Sequence, residues 1–316
     1  MDIVTLTLHP ALDKSTEVER MVPERKLRCS SLHWDAGGGG INVSKGIRRL
    51  GGQSTAVFPV GGNNGQRLLA LLDKEGVATA PVEVVGETRE NFAVFETSTG
   101  HQYRFTLPGE PLSVGEAEAC IDAVRRLKPA LLVVSGSLPP GLPVDYYARA
   151  AAAVRPIGAR VILDTSGDAL QAALAEHFFL LKPNIGELSR LVGVERLEMN
   201  QVDDAAMSLV HSGRCEVVVV SLGAQGALLA SRDGFVHVAA PIVEKRSTVG
   251  AGDSMVAGMV WALSQGKPLF EMVQIGVACG TAATMNPGTE LFRADDVWRL
   301  LSWIQTFGKR YRFTDF

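Results

Sequence analysis

The sequence predicts an α/β protein built on a mostly parallel sheet covered by helices on both faces, with a small second β-sheet beside it. Three observations carry this. Between about residues 113 and 222, short apolar runs ("ALLVVSG", "ARVILDT", "FFLLKP", "EVVVVSL") alternate with helical patterns, which is how buried parallel strands and their crossover helices read. Two earlier regions alternate polar and apolar residues with period two, as strands with one wet face do. The composition, 46% apolar and 21% charged over 316 residues, is that of an ordinary globular chain with one large core or two unequal ones.

Taken in order, "IVTLTL" (3–8) is the first strand, and "STEVERM" and "KLRCSSLHW" are strands of the second sheet. "INVSKGIRRL" (41–50) is a helix, "STAVFPV" (54–60) a strand, and "GQRLLALLDKEG" (65–76) a helix stopped by glycine. "NFAVFETSTGHQYRFTL" (91–107) breaks the alternation: two period-two runs flank "STG", the pattern of a hairpin, which joins the second sheet. The body then follows as helix 113–127, strand 130–136, helix 143–154, strand 159–165, helix 168–175, strand 178–183, helices 184–192 and 201–212 and strand 216–222. A β pair over 226–240 and helices 254–264, 268–285 and 293–306 complete it. Helix 254–264 is apolar nearly all round and is expected to be buried. The tail "FGKRYRFTDF" reads as a loosely docked terminus.

Thirty-one basic and 34 acidic residues give a net charge of −3, so no global basic field exists to hold nucleic acid or an anionic membrane. No apolar run approaches the ~20 residues of a membrane span, and the N-terminus lacks the basic opening of a signal peptide. Cys29, Cys120, Cys215 and Cys279 are far apart and form no C-x-x-C pair, which argues against zinc or a disulfide framework and for a reducing cytoplasm. The histidines show no metal spacing, Ser135 and Ser137 lack a nucleophile elbow, and neither G-x-G-x-x-G nor a Walker loop is present.

In an open α/β sheet, ligands bind beyond the carboxyl ends of the strands, so the residues following each strand carry the chemistry. In "VGAGDS", Gly250 and Gly252 let backbone N–H groups converge, the following helix adds its positive end, and Asp253 can hold a hydroxyl group against that point. No raised pKa is asked of Asp253, because phosphoryl transfer rests on positioning and charge stabilisation; equally, Asp253 can be a simple helix cap. "AGGGGINV" permits close approach of backbone to a ligand, with Asn42 able to donate to a sugar hydroxyl, or it is a flexible turn. In "KPNIGE", Asn184 and Glu187 have the spacing of a capping box, or they face phosphates and hold Mg²⁺ through water. Ser221, Gly223 and Gly226 follow an apolar strand and suit either a nucleotide or a hairpin turn. Lys26, Arg89 and Arg104 lie in or beside the second sheet, where they could converge on a phosphate or remain solvated charges.

The order and separation of these stretches resemble those of the PfkB carbohydrate-kinase family along nearly the whole chain: "STVGAGDS" is similar to its C-terminal signature, and "GGGGINV" followed by "LGG" to its N-terminal one. The resemblance implies a ribokinase-like three-layer sandwich over 1–316, with a β lid formed mainly by about 14–35 and 88–108. Within the family, "TLTLHPALD", "KLRC", "QYRFTLPG" and "VSGSLPPG" are most like members acting on fructose 6-phosphate; those acting on fructose 1-phosphate or tagatose 6-phosphate usually carry a lysine where this glycine run has glycine.

The roles implied follow from the same resemblance. Asp253 would be the base for the sugar hydroxyl, and the N–H groups of Gly250, Ala251 and Gly252 an anion hole. Asp13, Gly38, Gly39 and Asn42 would grip the sugar with Ser137 nearby, and Lys26, Arg89 and Arg104 would bind its phosphate. Lys182, Asn184 and Glu187 would serve the ATP phosphates and Mg²⁺, and Ser221, Gly223 and Thr248 would line the nucleotide channel. The expected partners are a sugar phosphate, ATP and a second copy of the chain, joined through the lid. A silent sugar-phosphate sensor is the alternative from another class.

Overall fold

The computed structural model describes residues 2–30, 32–308 and 311–312. The chain starts with β1 (Ile3–Leu6), leaves the body through residues 7–10 for β2 (Ala11–Val18) and β3 (Leu32–Gly37), and returns as α1 (Gly39–Arg49). After β4 (Thr55–Val60), α2 (Gly62–Lys74) and β5 (Ala78–Glu83) it leaves again for the hairpin β6 (Arg89–Glu96) and β7 (His101–Thr106). The body resumes with α3 (Val114–Leu127), β8 (Leu131–Ser135), α4 (Tyr146–Val154), β9 (Arg160–Asp164), α5 (Gly167–Ala173), β10 (Phe178–Leu181) and α6 (Ile185–Leu191). It ends with α7 (Val202–His211), β11 (Cys215–Ser221), β12 (Ala227–Ser231), β13 (Gly234–Val238), α8 (Ala251–Ser264), α9 (Leu269–Thr284), α10 (Ala294–Phe307) and β14 (Tyr311–Arg312).

The ten-stranded sheet runs β14-β13-β12-β11-β10-β9-β8-β1-β4-β5. It is parallel from β5 to β11 and antiparallel beyond. Alternate residues of β8 feed two cores: Leu132 and Val134 pack with α3 to α7 on one face, Leu131 and Val133 with α1, α8, α9 and α10 on the other. Because the chain winds outward from β1 through β4 to β5 and then in the opposite direction from β8 to β11, the strand order reverses between β1 and β8. The crevice at their carboxyl ends is where such sheets take ligands.

Three helices meet closely on the second face. A Cβ at Gly46 of α1 would stand 2.5 Å from that of Ala257 on α8, and one at Gly258 would stand 2.6 Å from Cys279 Sγ on α9. Only bare backbone permits this spacing, and it brings the start of α1 against the start of α8.

The second sheet, ordered β3-β2-β6-β7, is mixed: β2 pairs with β6 in parallel and with β3 antiparallel. The strand expected over "KLRCSSLHW" begins only at Leu32. β2 ends at Val18 because the Met21 amide turns to the Glu96 carboxylate (2.9 Å), and Pro23 together with Glu24 at φ 56° keeps the connection irregular. β5 was not expected: it is an exposed edge strand containing Pro81, so it lacks the alternation that marks a strand. α8 begins three residues before the expected Ser254, taking the glycine turn into its first turn. Of the tail, Tyr311–Arg312 adds an edge strand to β13; residues 309–310 and 313–316 lie outside the described residues.

Candidate active site

The strand ends gather the chemistry. Gly250 adopts φ 71°, a left-handed conformation open to glycine, and caps α8, whose first amides have no partner within the helix. Asp253 sits in that first turn, and its Oδ2 accepts a hydrogen bond from Asn42 Nδ2 at 2.8 Å, across the α1–α8 contact. Lys182, at the end of β10, pairs with Asp164 at the end of β9 (3.1 Å). Its ammonium lies beside Gly252, 3.5 Å from where a Cβ would stand. The glycine turn at the start of α8 therefore has a buried cation at its side.

Burial pushes the Asp253 carboxyl up to about 6, with Asp164 adding repulsion and Asn42 and Lys182 opposing it. The chemistry asks no such shift of Asp253; it follows from the setting, because the carboxylate lies partly buried among other acids. Burial alone would discharge Lys182, but attraction from Asp164, Glu187 and Asp253 outweighs it and raises its pKa.

Asp13 on β2 accepts from Asn91 Nδ2 on β6 at 2.8 Å, and burial with the nearby Asp35 raises its pKa. Asp35 in turn accepts from Thr289 Oγ1 at 2.8 Å, which ties the second sheet to the loop flanking Gly250. The glycine run is demanded by protein contacts. A Cβ at Gly37 would stand 2.0 Å from Asp13 Oδ2, one at Gly39 2.3 Å from Ser135 Oγ, and one at Gly40 2.6 Å from Thr7 Oγ1, while Gly38 holds φ 124°.

Arg89 gives three of its five N–H donors to backbone, the carbonyls of Leu107 (3.1 Å), His9 (3.2 Å) and Pro10 (3.4 Å), so it clamps the crossovers between body and second sheet and keeps two donors. Burial lowers its pKa, opposed by Asp13. Ser137 follows β8, 3.1 Å from His9 Nδ1. Arg104 is exposed on β7, and the pairing Ser15↔Ala93↔Arg104 puts it on the Asp13 face of the sheet; Lys26 is exposed in the connection before β3.

At the other end, Asn184 and Glu187 form the full capping box, Glu187 N–H to Asn184 Oδ1 (2.9 Å) and Asn184 N–H to Glu187 Oε2 (2.8 Å). Burial raises the Glu187 pKa, with Lys182 opposing. A bridge between Asn184 and Ser221 sets the β10 and β11 exits side by side, Gly223 turns at φ 60°, and Thr248 is exposed two residues before Gly250. Asp164, Asn91, His9 and Thr289 were not anticipated. Only Asp164 carried a signal, its place at the end of "VILD".

The family model of the pfkB carbohydrate kinases matches residues 9–295. The chain belongs to the pfkB family of carbohydrate kinases. Within it, the chain is 45% identical over 304 residues to the ATP-dependent 6-phosphofructokinase isozyme 2 of Escherichia coli (strain K12), covering 96% of this chain and 98% of that one. A crystal structure of Escherichia coli phosphofructokinase-2 with substrates and products superposes on this pfkB kinase at a TM-score of 0.93 with 44% identity, over 96% of this chain and 100% of that one. A tetrameric inhibited form of the same protein superposes at 0.91 with 43% identity, over 96% and 99%. The ribokinase-like fold is thereby shown.

Proposed function

We propose that this chain transfers the γ-phosphoryl group of ATP to the free primary hydroxyl of fructose 6-phosphate. The observation that carries the proposal is Asp253 in the first turn of α8, bound by Asn42 and flanked by Lys182. The likeness to a full-length relative named for that reaction supports the choice of sugar. Asp253 Oδ accepts the proton of the attacking hydroxyl, Asn42 fixes the carboxylate, and the N–H groups of Gly250, Ala251 and Gly252 hold the transferring phosphoryl oxygens with Lys182 as counter-charge. Asp13, Gly38, Gly39 and Ser137 take the sugar, and Lys26, Arg89 and Arg104 its phosphate. Lys182, Asn184, Glu187, Ser221, Gly223 and Thr248 take the nucleotide.

The donor set suits a hydrated Mg²⁺ carried largely by phosphates: Glu187 offers one carboxylate, and among the described residues no trio of His, Cys, Asp or Glu side chains could cage an ion. Mg²⁺ would neutralise phosphate charge there. The second sheet acts as a lid and as the seat of a homodimer. No helix among the described residues is long and apolar enough to cross a membrane, and all four cysteines are free, which supports a cytoplasmic setting.

The test is phosphoryl transfer from Mg·ATP to fructose 6-phosphate, fructose 1-phosphate and tagatose 6-phosphate. Fructose 6-phosphate is expected to give the highest kcat/KM. A preference for either rival reassigns the sugar, and turnover of none leaves the sensor reading.

A further inference from the structure

His9 lies at the reversal of strand order, in the crossover from β1 to β2, and its ring touches two other segments. Nε2 is 2.9 Å from the Pro108 carbonyl, in the return from β7 to the body, and Nδ1 is 3.1 Å from Ser137 Oγ, just past β8. A carbonyl can only accept, so Nε2 must carry a proton. Burial and the Arg89 cation, which donates to the His9 carbonyl at 3.2 Å, keep the ring neutral by lowering its pKa to about 4. In a neutral imidazole the other nitrogen is then an acceptor, and the hydrogen of Ser137 must point to it.

The Ser137 backbone is held independently, since Tyr147 OH donates to the carbonyls of Gly136 (3.0 Å) and Ser137 (3.1 Å). An open cavity of about 610 Å³ borders His9, Arg89, Pro108 and Ser137. Toward it Ser137 can present only lone pairs.

We infer that His9 is a positioning residue for the sugar-phosphate site: it joins the two crossovers to the second sheet and commits the Ser137 hydroxyl as a donor to Nδ1, so that Ser137 accepts a hydrogen bond from a ligand hydroxyl and offers none to a phosphate oxygen. This rests on reading the cleft as a sugar-phosphate site. The phosphate of the ligand accordingly sits away from Ser137, and a sugar hydroxyl sits against it.

The experiment has one arm independent of the substrate and one that uses it. Ring ¹⁵N spectra of histidine-labelled protein at neutral pH, with the His9 signals assigned by their loss in His9→Asn, are expected to show the Nε2–H tautomer and an Nδ1 resonance that moves in Ser137→Ala. An Nδ1–H ring, a doubly protonated ring, or an Nδ1 indifferent to Ser137→Ala overturns the inference. In kinetics, His9→Asn places an acceptor where Nδ1 stands and is expected to keep the KM for fructose 6-phosphate within about threefold. His9→Gln reaches only Pro108 and is expected to raise that KM about tenfold with kcat within about twofold, and to add nothing in a Ser137→Ala background. Independent, multiplying effects of His9→Gln and Ser137→Ala overturn it too. If His9→Gln does not fold, the spectra and Ser137→Ala decide; if the parent turns over no sugar phosphate, the proposed activity falls while the spectra still judge His9.

Discussion

Asp253 unites opposite demands on a single carboxyl: the chemistry wants it ionised and aimed, and its surroundings disfavour the charge. With its pKa raised to about 6, the folded protein holds a proton on Asp253 that the unfolded chain releases between roughly pH 4 and 6. Stability from this group is therefore greatest below that window and falls as pH rises through it. For activity the sign is reversed: kcat/KM should drop about tenfold per unit as pH falls below about 6, which a pH–rate profile reads directly. Asp253→Asn keeps the shape and leaves an amide oxygen for Asn42 Nδ2. It should lose roughly two or more powers of ten in kcat while gaining about 1–2 kcal/mol in a denaturant melt at pH 7. A variant that stays active would reduce Asp253 to a helix cap. Asn91 supports the other acid: Asn91→Ala should raise the sugar KM about tenfold, the loss of one hydrogen bond to a charged group at about 1.5 kcal/mol, with kcat little changed in steady-state assays.

Helix α8 reaches Asn42 because α1 and α8 touch through Gly46 and Ala257. Gly46→Ala should wedge them apart, costing about 1–3 kcal/mol and lowering kcat, and Ala257→Gly in the same chain should restore both in a paired melt and activity assay. This contact also marks what a sequence can and cannot tell. The parallel strands, their crossover helices and the helix after "VGAG" were legible because burial on both faces writes a local apolar pattern. β5 was not, since an edge strand with Pro81 has no such pattern, and the end of β2 was set by a distant carboxylate, Glu96. Asp253, Asn42, Lys182 and the Asn184–Glu187 box were legible as residues beside strand ends and helix starts. Asn91 and His9 were not, because they act on Asp13 and Ser137, 78 and 128 positions away, through a register and a chain reversal that exist only in the fold.

At the scale of the molecule, the second sheet is too exposed to stand as it is. Leu32 on β3 and Tyr103 and Phe105 on β7 each expose between 37% and 50% of their surface, and the register puts all three on the face opposite Asp13, which the sheet holds toward the cleft. Clustered apolar exposure of this kind on a chain with net charge −3 marks a surface that another surface covers, and the chain's own copy is the partner always present. Sedimentation at micromolar concentration should give a dimer or a multiple of one. Leu32→Asp with Phe105→Glu places two charges in that surface and should shift the protein toward monomer. If the sheet is a lid that pairing holds in place over the sugar, the same pair of substitutions should lower kcat/KM for the sugar more than for ATP. A monomer with unchanged sugar kinetics would separate the lid from the interface, and a parent that sediments as a monomer would remove the dimer altogether.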